Sequence, residues 1–369
     1  MGTKVGILSM QRIQNYGSFL QAYGLKCILE ELGCEVQFID YHPGSTIIPA
    51  DGKTRLGRTL SKVTDVLKQG GPLSEKIRFI KYKKNYATNY YPYLGIAEDR
   101  NYSSEVDTLI IGSDEVFNCV QNNTNIGFTP ELFGQGSKAK KLISYAASFG
   151  NTTVDKLTRY DIDDLVAGWL RDFDAISVRD KNSGEIVKTL IGIEPEYNLD
   201  PVLMYDFMRK CKKIPSSVPD QDYMLLYGYS GRFSLEECQE IRKYADSKGL
   251  KIFCIGGVQI CCDKFIDVNP FEVITYFKQA DCIVTDTFHG SILSIITHRQ
   301  FVAVIRKSGY GNSQKLIDLL DRLHLENRIL KSIKELPGLI KTRIDYTVTD
   351  KEINMERDHT QRYLERWVK

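Results

Sequence analysis

Residues 4–41, "KVGILSMQRIQNYGSFLQAYGLKCILEELGCEVQFIDY", change rhythm twice. The apolar run at 4–10 is short enough for a strand. Residues 18–33 place apolar side chains at helical spacing and stop at Gly33, and 35–41 return to a strand pattern. Strand, loop, helix, strand is the opening of a parallel sheet, because parallel neighbours require a crossover.

The same grammar continues along the chain. Strands are predicted within 106–118 and 140–150, a polar helix over 153–170, and a strand, turn and helix over 175–190. A second series starts at "YMLLYGY" (223–229). It continues with helix 234–248, strand 251–257, helix 270–279, strand 282–285, helix 290–297, strand 301–305 and helix 313–323. The expected fold class is α/β, with two Rossmann-like domains facing a cleft. They cover residues 1–205 and 206–345, and a C-terminal helix lies within 346–369. Residues 45–100 interrupt the first domain with a basic helical insert, "TRLGRTLSKVTDVLKQ" and "SEKIRFIKYKKNYA", divided by the Gly-Gly-Pro punctuation at 70–72.

Composition narrows the function. A length of 369 residues suits two domains, and the net charge of +2 argues against general nucleic-acid binding. The charge is uneven: residues 53–84 carry ten Lys or Arg against two acids, so the remainder is net −6. Nine cysteines, an odd number without a CxxC pair, point to a reduced, cytoplasmic protein rather than a disulfide framework. The opening "MGTKVGILSM" reads as a strand rather than a signal peptide, and position 6 fails the myristoylation pattern. No apolar run reaches membrane-spanning length, so any membrane contact is expected to be peripheral.

In open α/β sheets, ligands bind beyond the carboxyl ends of strands, where helix N-termini favour anions. Five polar clusters fall there: "NYGS" (15–18), "GSDE" (112–115), "SFG" (148–150), "VRDKNS" (178–183) and "TDTFHGS" (285–291). Within the last, His289 stands between a buried strand and an apolar helix, flanked by Asp286, Thr287, Phe288, Gly290 and Ser291. A histidine there can move a proton near neutral pH, or it can simply cap the helix. Asp114 and Ser113 read equally as helix caps or as cleft groups. Arg179 suits bidentate anion recognition, or a surface pair with Asp180. Asn15, Tyr16 and Ser18 start a helix that could hold an anion, and Ser148 ends another strand. There is no dinucleotide fingerprint, P-loop, HExxH or GxSxG, so no cofactor or metal is expected. The tyrosines of "NYYPYLG" (89–95) could stack on sugar rings or pack the insert onto the domain.

Taken in order, "NYGSFLQAYGL", "DTLIIGSDEVFN", "SYAASFG", "SVRDKNS", "LDPVLM" and "TDTFHGSILSI" resemble the polysaccharide pyruvyl transferase family over about residues 5–325. The resemblance implies a glycosyltransferase-B-like architecture, with the acceptor on the first domain and the donor on the second. It also implies transfer of the enolpyruvyl unit of phosphoenolpyruvate to a sugar of a bacterial surface polysaccharide or its precursor, closing a cyclic ketal. His289 matches the family's catalytic histidine, Arg179 the arginine near the donor anion, and Asp114 the cleft carboxylate. Some branches carry an arginine two residues before the histidine. Here that position is Thr287, so Arg306, Lys307 or Lys315 is expected to supply the cation.

On this reading His289 is the acid towards the donor, and Asp114 the base or the acceptor-orienting group. The partners are phosphoenolpyruvate and a glycan or lipid-linked saccharide. The basic window 53–84 is either a solvated face or a peripheral contact with anionic lipid or a lipid diphosphate. An inverting nucleotide-sugar glycosyltransferase and a non-catalytic glycan-binding relative remain as alternatives, since fold alone separates none of them.

Overall fold

The computed structural model describes residues 2–48, 70–218, 222–306 and 313–369. The helix expected over 54–69, the basic positions 53–69 and Lys307 lie outside these residues.

Two six-stranded parallel sheets form the frame. The first half contributes β1 (Lys4–Leu8), β2 (Glu35–Phe38), β3 (Thr108–Asp114), β4 (Lys141–Ala147), β5 (Ser177–Val178) and β6 (Glu196–Tyr197), in the order β2-β1-β3-β4-β5-β6. The second contributes β7 (Tyr223–Tyr227), β8 (Lys251–Ile255), β9 (Lys264–Phe265), β10 (Cys282–Thr285), β11 (Phe301–Val304) and β12 (Ile329–Leu330), in the order β12-β11-β10-β7-β8-β9. β3 and β7 are buried along their whole length, as strands covered on both faces must be.

The described helices of the first half are α1 (Tyr16–Glu31), α2 (Leu73–Tyr90), α3 (Val154–Arg159), α4 (Asp163–Arg171), α5 (Lys181–Ile191) and α6 (Pro201–Met204). Those that follow are α7 (Phe207–Lys210), α8 (Leu235–Ser247), α9 (Pro270–Gln279), α10 (Phe288–Ile296), α11 (Ser313–Arg322), α12 (Leu336–Lys341) and α13 (Thr347–Val368). Local chemistry starts several of them. Asn15 caps α1, Ser234 with Glu237 and Asn269 with Glu272 form capping boxes on α8 and α9, and Pro270 opens α9.

Several expectations change: α1 and α10 each start two residues early, at Tyr16 and Phe288, and the strand expected over 251–257 ends at Ile255. The polar helix over 153–170 is two helices, because Asp161 turns left-handed (φ 54°) between α3 and α4. The edge strands β6, β9 and β12 were not anticipated; two residues are too few to show a period. The strands expected over 4–10 and 35–41 end earlier, at Leu8 and Phe38. The residues beyond them leave the ladder to build cleft walls: Ser9 donates to the Ser113 carbonyl (2.9 Å), and the Gln11 side chain donates to the Ile39 carbonyl (2.9 Å).

Two elements tie the halves together. α2 packs on α1 through the rings of Tyr16, Tyr82, Tyr86 and Tyr90, spaced 4.9–5.5 Å along the chain of contacts. It reaches the second half where Glu75 accepts from the Phe265 amide (2.7 Å) and Tyr90 donates to the Val268 carbonyl (3.0 Å). Tyr90 and Tyr91 are buried, so these insert tyrosines serve packing. α13 runs back from the second half. Thr349 donates to the Leu323 carbonyl (2.9 Å), while Tyr363 donates to the Ser144 carbonyl in β4 (2.7 Å). One apolar core consequently runs from Val5 of β1 to Leu330 of β12 and Val368 of α13. A second lies on the other face of the first sheet, around Phe117, Phe133 and Phe149. All nine cysteines are free thiols, and no described helix is long and apolar enough to cross a membrane.

Candidate functional site

The carboxyl ends of the two sheets face each other across a cavity of ≈ 190 Å³. The first half lines it with the 10–18 loop and helix start, Tyr82 and Lys83 of α2, and Asp114 and Glu115 at the end of β3. From the second half come Tyr227 to Tyr229 after β7, Gly256 after β8, Thr287 to His289 at the start of α10, and Lys315 of α11.

Two helix N-termini therefore meet here, one from each half. Asn15 accepts from the Ser18 amide (2.7 Å) and Thr287 from the Gly290 amide (3.0 Å). The earlier amides of each first turn remain for a ligand, and both helix dipoles favour an anion between them. The approach is close: a Cβ at Gly17 would stand 2.3 Å from His289 Nδ1, so only glycine fits. Gly290 is equally constrained, since a Cβ there would lie 2.1 Å from Thr285 Oγ1.

Beneath the cavity floor lies a charged cluster. The side chain of Arg179 is 1% exposed and donates to Asp200 Oδ2 (2.6 Å) and Asp114 Oδ1 (3.0 Å). Its guanidinium covers the Phe288 ring at 4.5 Å. Ser18 donates to the other oxygen of Asp114 (2.7 Å). His289 Nε2 stands 3.5 Å from Asp200 Oδ2, on the buried side of the ring, while Nδ1 is on the edge against Gly17.

Burial alone would raise the Asp114 carboxyl; Arg179, His289, Lys315 and the Ser18 hydroxyl outweigh it and hold the group well below the usual carboxylate range. Asp200 behaves likewise, with burial overcome by His289, Arg179 and the Val202 amide. At the rim Lys315 pairs with Glu115, linking α11 to the end of β3, and its ammonium is 5.6 Å from the Phe288 ring. That pairing overcomes burial and lowers the Glu115 carboxyl too.

Of the residues expected from sequence, His289, Asp114, Asn15, Tyr16, Ser18, Thr287 and Phe288 line the cavity. Arg179, Ser113, Ser148, Asp286, Gly290 and Ser291 stand behind its wall. Ser113 donates to Gln21 of α1 (2.8 Å) and Ser148 to Asp180, the N-cap of α5 (2.6 Å). Asp286 is held by Arg232 (2.7 Å) and Arg306 (3.0 Å), and Ser291 is fully buried within α10. Two local alternatives fall. No helix follows Asp114, so it caps none, and Arg179 is buried against Asp114 and Asp200 rather than paired at the surface with Asp180. Among the cations expected downstream, Arg306 is occupied by Asp286 and by both oxygens of Glu237 (2.7 and 2.9 Å), whereas Lys315 reaches the cavity.

Sequence reading did not single out Asp200, Glu115, Lys83 or Tyr229. Asp200 sits in "NLDPVLM", where an acid before proline reads as a helix cap; it is that cap for α6, accepting from the Val202 amide (2.9 Å), and the second role is hidden behind the first. Lys83 belongs to the insert, whose sequence gives no sign that it reaches the cleft; its ammonium donates to the Gln14 carbonyl.

A family model described as polysaccharide pyruvyl transferase matches residues 15–308. No curated protein matches the chain. Among solved structures, a UDP-N-acetylglucosamine 2-epimerase from Rickettsia bellii superposes with a TM-score of 0.50 at 11% identity, covering 100% of this chain and 99% of its own. The UDP-GlcNAc 2-epimerase of Methanocaldococcus jannaschii, in complex with UDP-GlcNAc and UDP, gives 0.49 at 11% identity over 95% and 98%. The glycosyltransferase SsfS6 of Streptomyces sp. SF2575, complexed with thymidine diphosphate, gives 0.45 at 14% over 99% of each chain. At such identities the likeness is one of fold alone, and the fold is the two-domain glycosyltransferase-B-like arrangement.

Proposed function

Since the chain belongs to the polysaccharide pyruvyl transferase family, we propose that it transfers the enolpyruvyl group of phosphoenolpyruvate to a sugar of a bacterial surface polysaccharide or its precursor, forming a cyclic ketal. The observation that carries this reading is His289 at the start of α10, backed by Asp200 and facing the start of α1 across one small cavity. A donor with a phosphate and a carboxylate suits two converging helix N-termini.

The proton inventory fits one histidine. His289 gives a proton to C3 of the donor, turning the methylene into a methyl, and an acceptor hydroxyl adds to C2 and returns its proton to the ring. A second hydroxyl then attacks C2, the C2–O bond to phosphate breaks, and inorganic phosphate leaves with the remaining proton. Asp200, on the Nε2 side, and Gly17, against the Nδ1 edge, hold the ring of His289 in the cavity wall. Asp114 is a poor proton acceptor, because Arg179 and Ser18 already occupy its oxygens. Its role in this scheme is to orient Arg179 and the acceptor. Lys315 is the donor's cation: an incoming phosphate exchanges for Glu115 on its ammonium.

The test is release of phosphate from phosphoenolpyruvate with a glycan acceptor, together with thermal stabilisation by phosphoenolpyruvate. At a hundred times its dissociation constant a ligand stabilises by about 2.7 kcal/mol. His289→Gln is expected to lower turnover by roughly 10²–10⁴-fold and keep that stabilisation. Lys315→Met is expected to weaken it by about tenfold in dissociation constant, the worth of one charge-assisted contact. Stabilisation by nucleotide-sugars alone would overturn the donor assignment, and near-normal turnover in His289→Gln would remove that residue from the chemistry.

A further inference from the structure

A second cavity, of ≈ 610 Å³, opens beside the cleft at the carboxyl ends of β1 and β2. The two adjoin across a shared wall. Ile13 lines both, and Asn123 and Ile126 line the cleft while the intervening Thr124 and Asn125 line the side cavity.

Its floor is rigid. Arg12 donates to both oxygens of Asp40 (2.5 and 2.8 Å) and to the carbonyls of Ala97 (3.0 Å) and Asp99 (3.2 Å), and Asp40 also accepts from the Asn101 amide (3.0 Å). Its rim is uncommitted. Gln14, Glu98, Thr124 and Asn125 line the space, and their side chains make no hydrogen bond within the described residues. The four charged lining groups, Arg12, Arg100, Asp40 and Glu98, sum to zero, so an anion gains little there. Amides, a hydroxyl and paired charges offer donors and acceptors side by side. That is what a neutral polyol, whose hydroxyls both give and take hydrogen bonds, requires.

The cleft itself, at ≈ 190 Å³, is smaller than the ~300–1,000 Å³ of sites that enclose a whole drug-sized ligand. A space of that size does not enclose a donor together with an acceptor longer than the reacting ring, so the rest of such an acceptor would lie outside it. We propose that the side cavity is a saccharide subsite for the unit next to the reacting sugar, so that the acceptor is a glycan of at least two sugars rather than a free monosaccharide. This rests on the saccharide acceptor of the proposed function and is independent of the donor.

The experiment measures, by calorimetry, binding of a panel of neutral mono-, di- and tetrasaccharides of glucose, galactose, mannose and N-acetylglucosamine. They are applied to the wild-type chain and to the double variant Thr124→Ala, Asn125→Ala. The expected result is at least a tenfold preference of the wild type for one or more oligosaccharides over their monosaccharides, and loss of that preference in the variant. Stabilisation by phosphoenolpyruvate, read in parallel, should be equal in both. No length preference anywhere in the panel, or a preference that survives in the variant, overturns the subsite. Loss of the phosphoenolpyruvate response alone, with the length preference intact, counts against the donor and leaves the subsite standing.

Discussion

Asp200 shows how much one carboxylate can carry. It caps α6, takes one arm of Arg179 and stands behind His289, with no exposed side-chain surface. Removing one partner from such a buried pair leaves an uncompensated charge, so Asp200→Ala is expected to cost about 3–5 kcal/mol in denaturant unfolding. The same network sets an acid limit. Asp114 and Asp200 have folded-state carboxyls held below their unfolded range. Their contribution is complete above the unfolded value of about 4 and is lost as pH falls from there through the folded values. Stability should therefore decline below about pH 4, and more shallowly in Asp114→Asn than in the wild type, which a pH series of melts resolves. The histidine and the arginine were visible from their place at strand ends. Their connection was not: Arg179 meets residues 21 and 65 positions away, a distance no local pattern encodes.

At the level of elements, the sequence was most readable where local chemistry decides the outcome. α9 and β10 fall at their expected bounds because Asn269, Pro270 and a buried apolar run each act on their own neighbours. α10 starts at Phe288, two residues before its expected bound, and its Thr287 cap can be tested alone. Thr287→Val removes the acceptor for the Gly290 amide and should cost about 1 kcal/mol of stability. A loss below about 0.3 kcal/mol would mean that solvent or another group satisfies that amide. The described part of the insert, α2, was legible as helix but not as strap, because its decisive contact, Glu75 with the Phe265 amide, joins residues 190 apart. The two-residue edge strands β6, β9 and β12 were illegible for a simpler reason: pairing, not composition, makes them strands.

The whole molecule departs from the usual picture of two domains on a hinge. Inter-domain faces that are large and apolar do not leave free relative motion, and here one core spans both sheets. Scanning calorimetry should accordingly show one cooperative transition, with equal calorimetric and van't Hoff enthalpies. Two resolved transitions would mean that the shared core is energetically divided. The alternation of strands and helices foretold two halves; that they share an interior depended on α2 and α13, whose amphipathic faces do not name their partners. The last helix has a consequence for the order in which the protein can be built. Tyr363 and Thr360 close hydrogen bonds to Ser144 and Leu199 in a half synthesised some two hundred residues earlier. On the ribosome, that half emerges with part of its sheet uncovered and waits for the second to be translated. The cleft draws its lining from both halves, so the nascent chain has no complete cleft until Lys315 of α11 has been translated, and the bonds that α13 makes to the first half come later still.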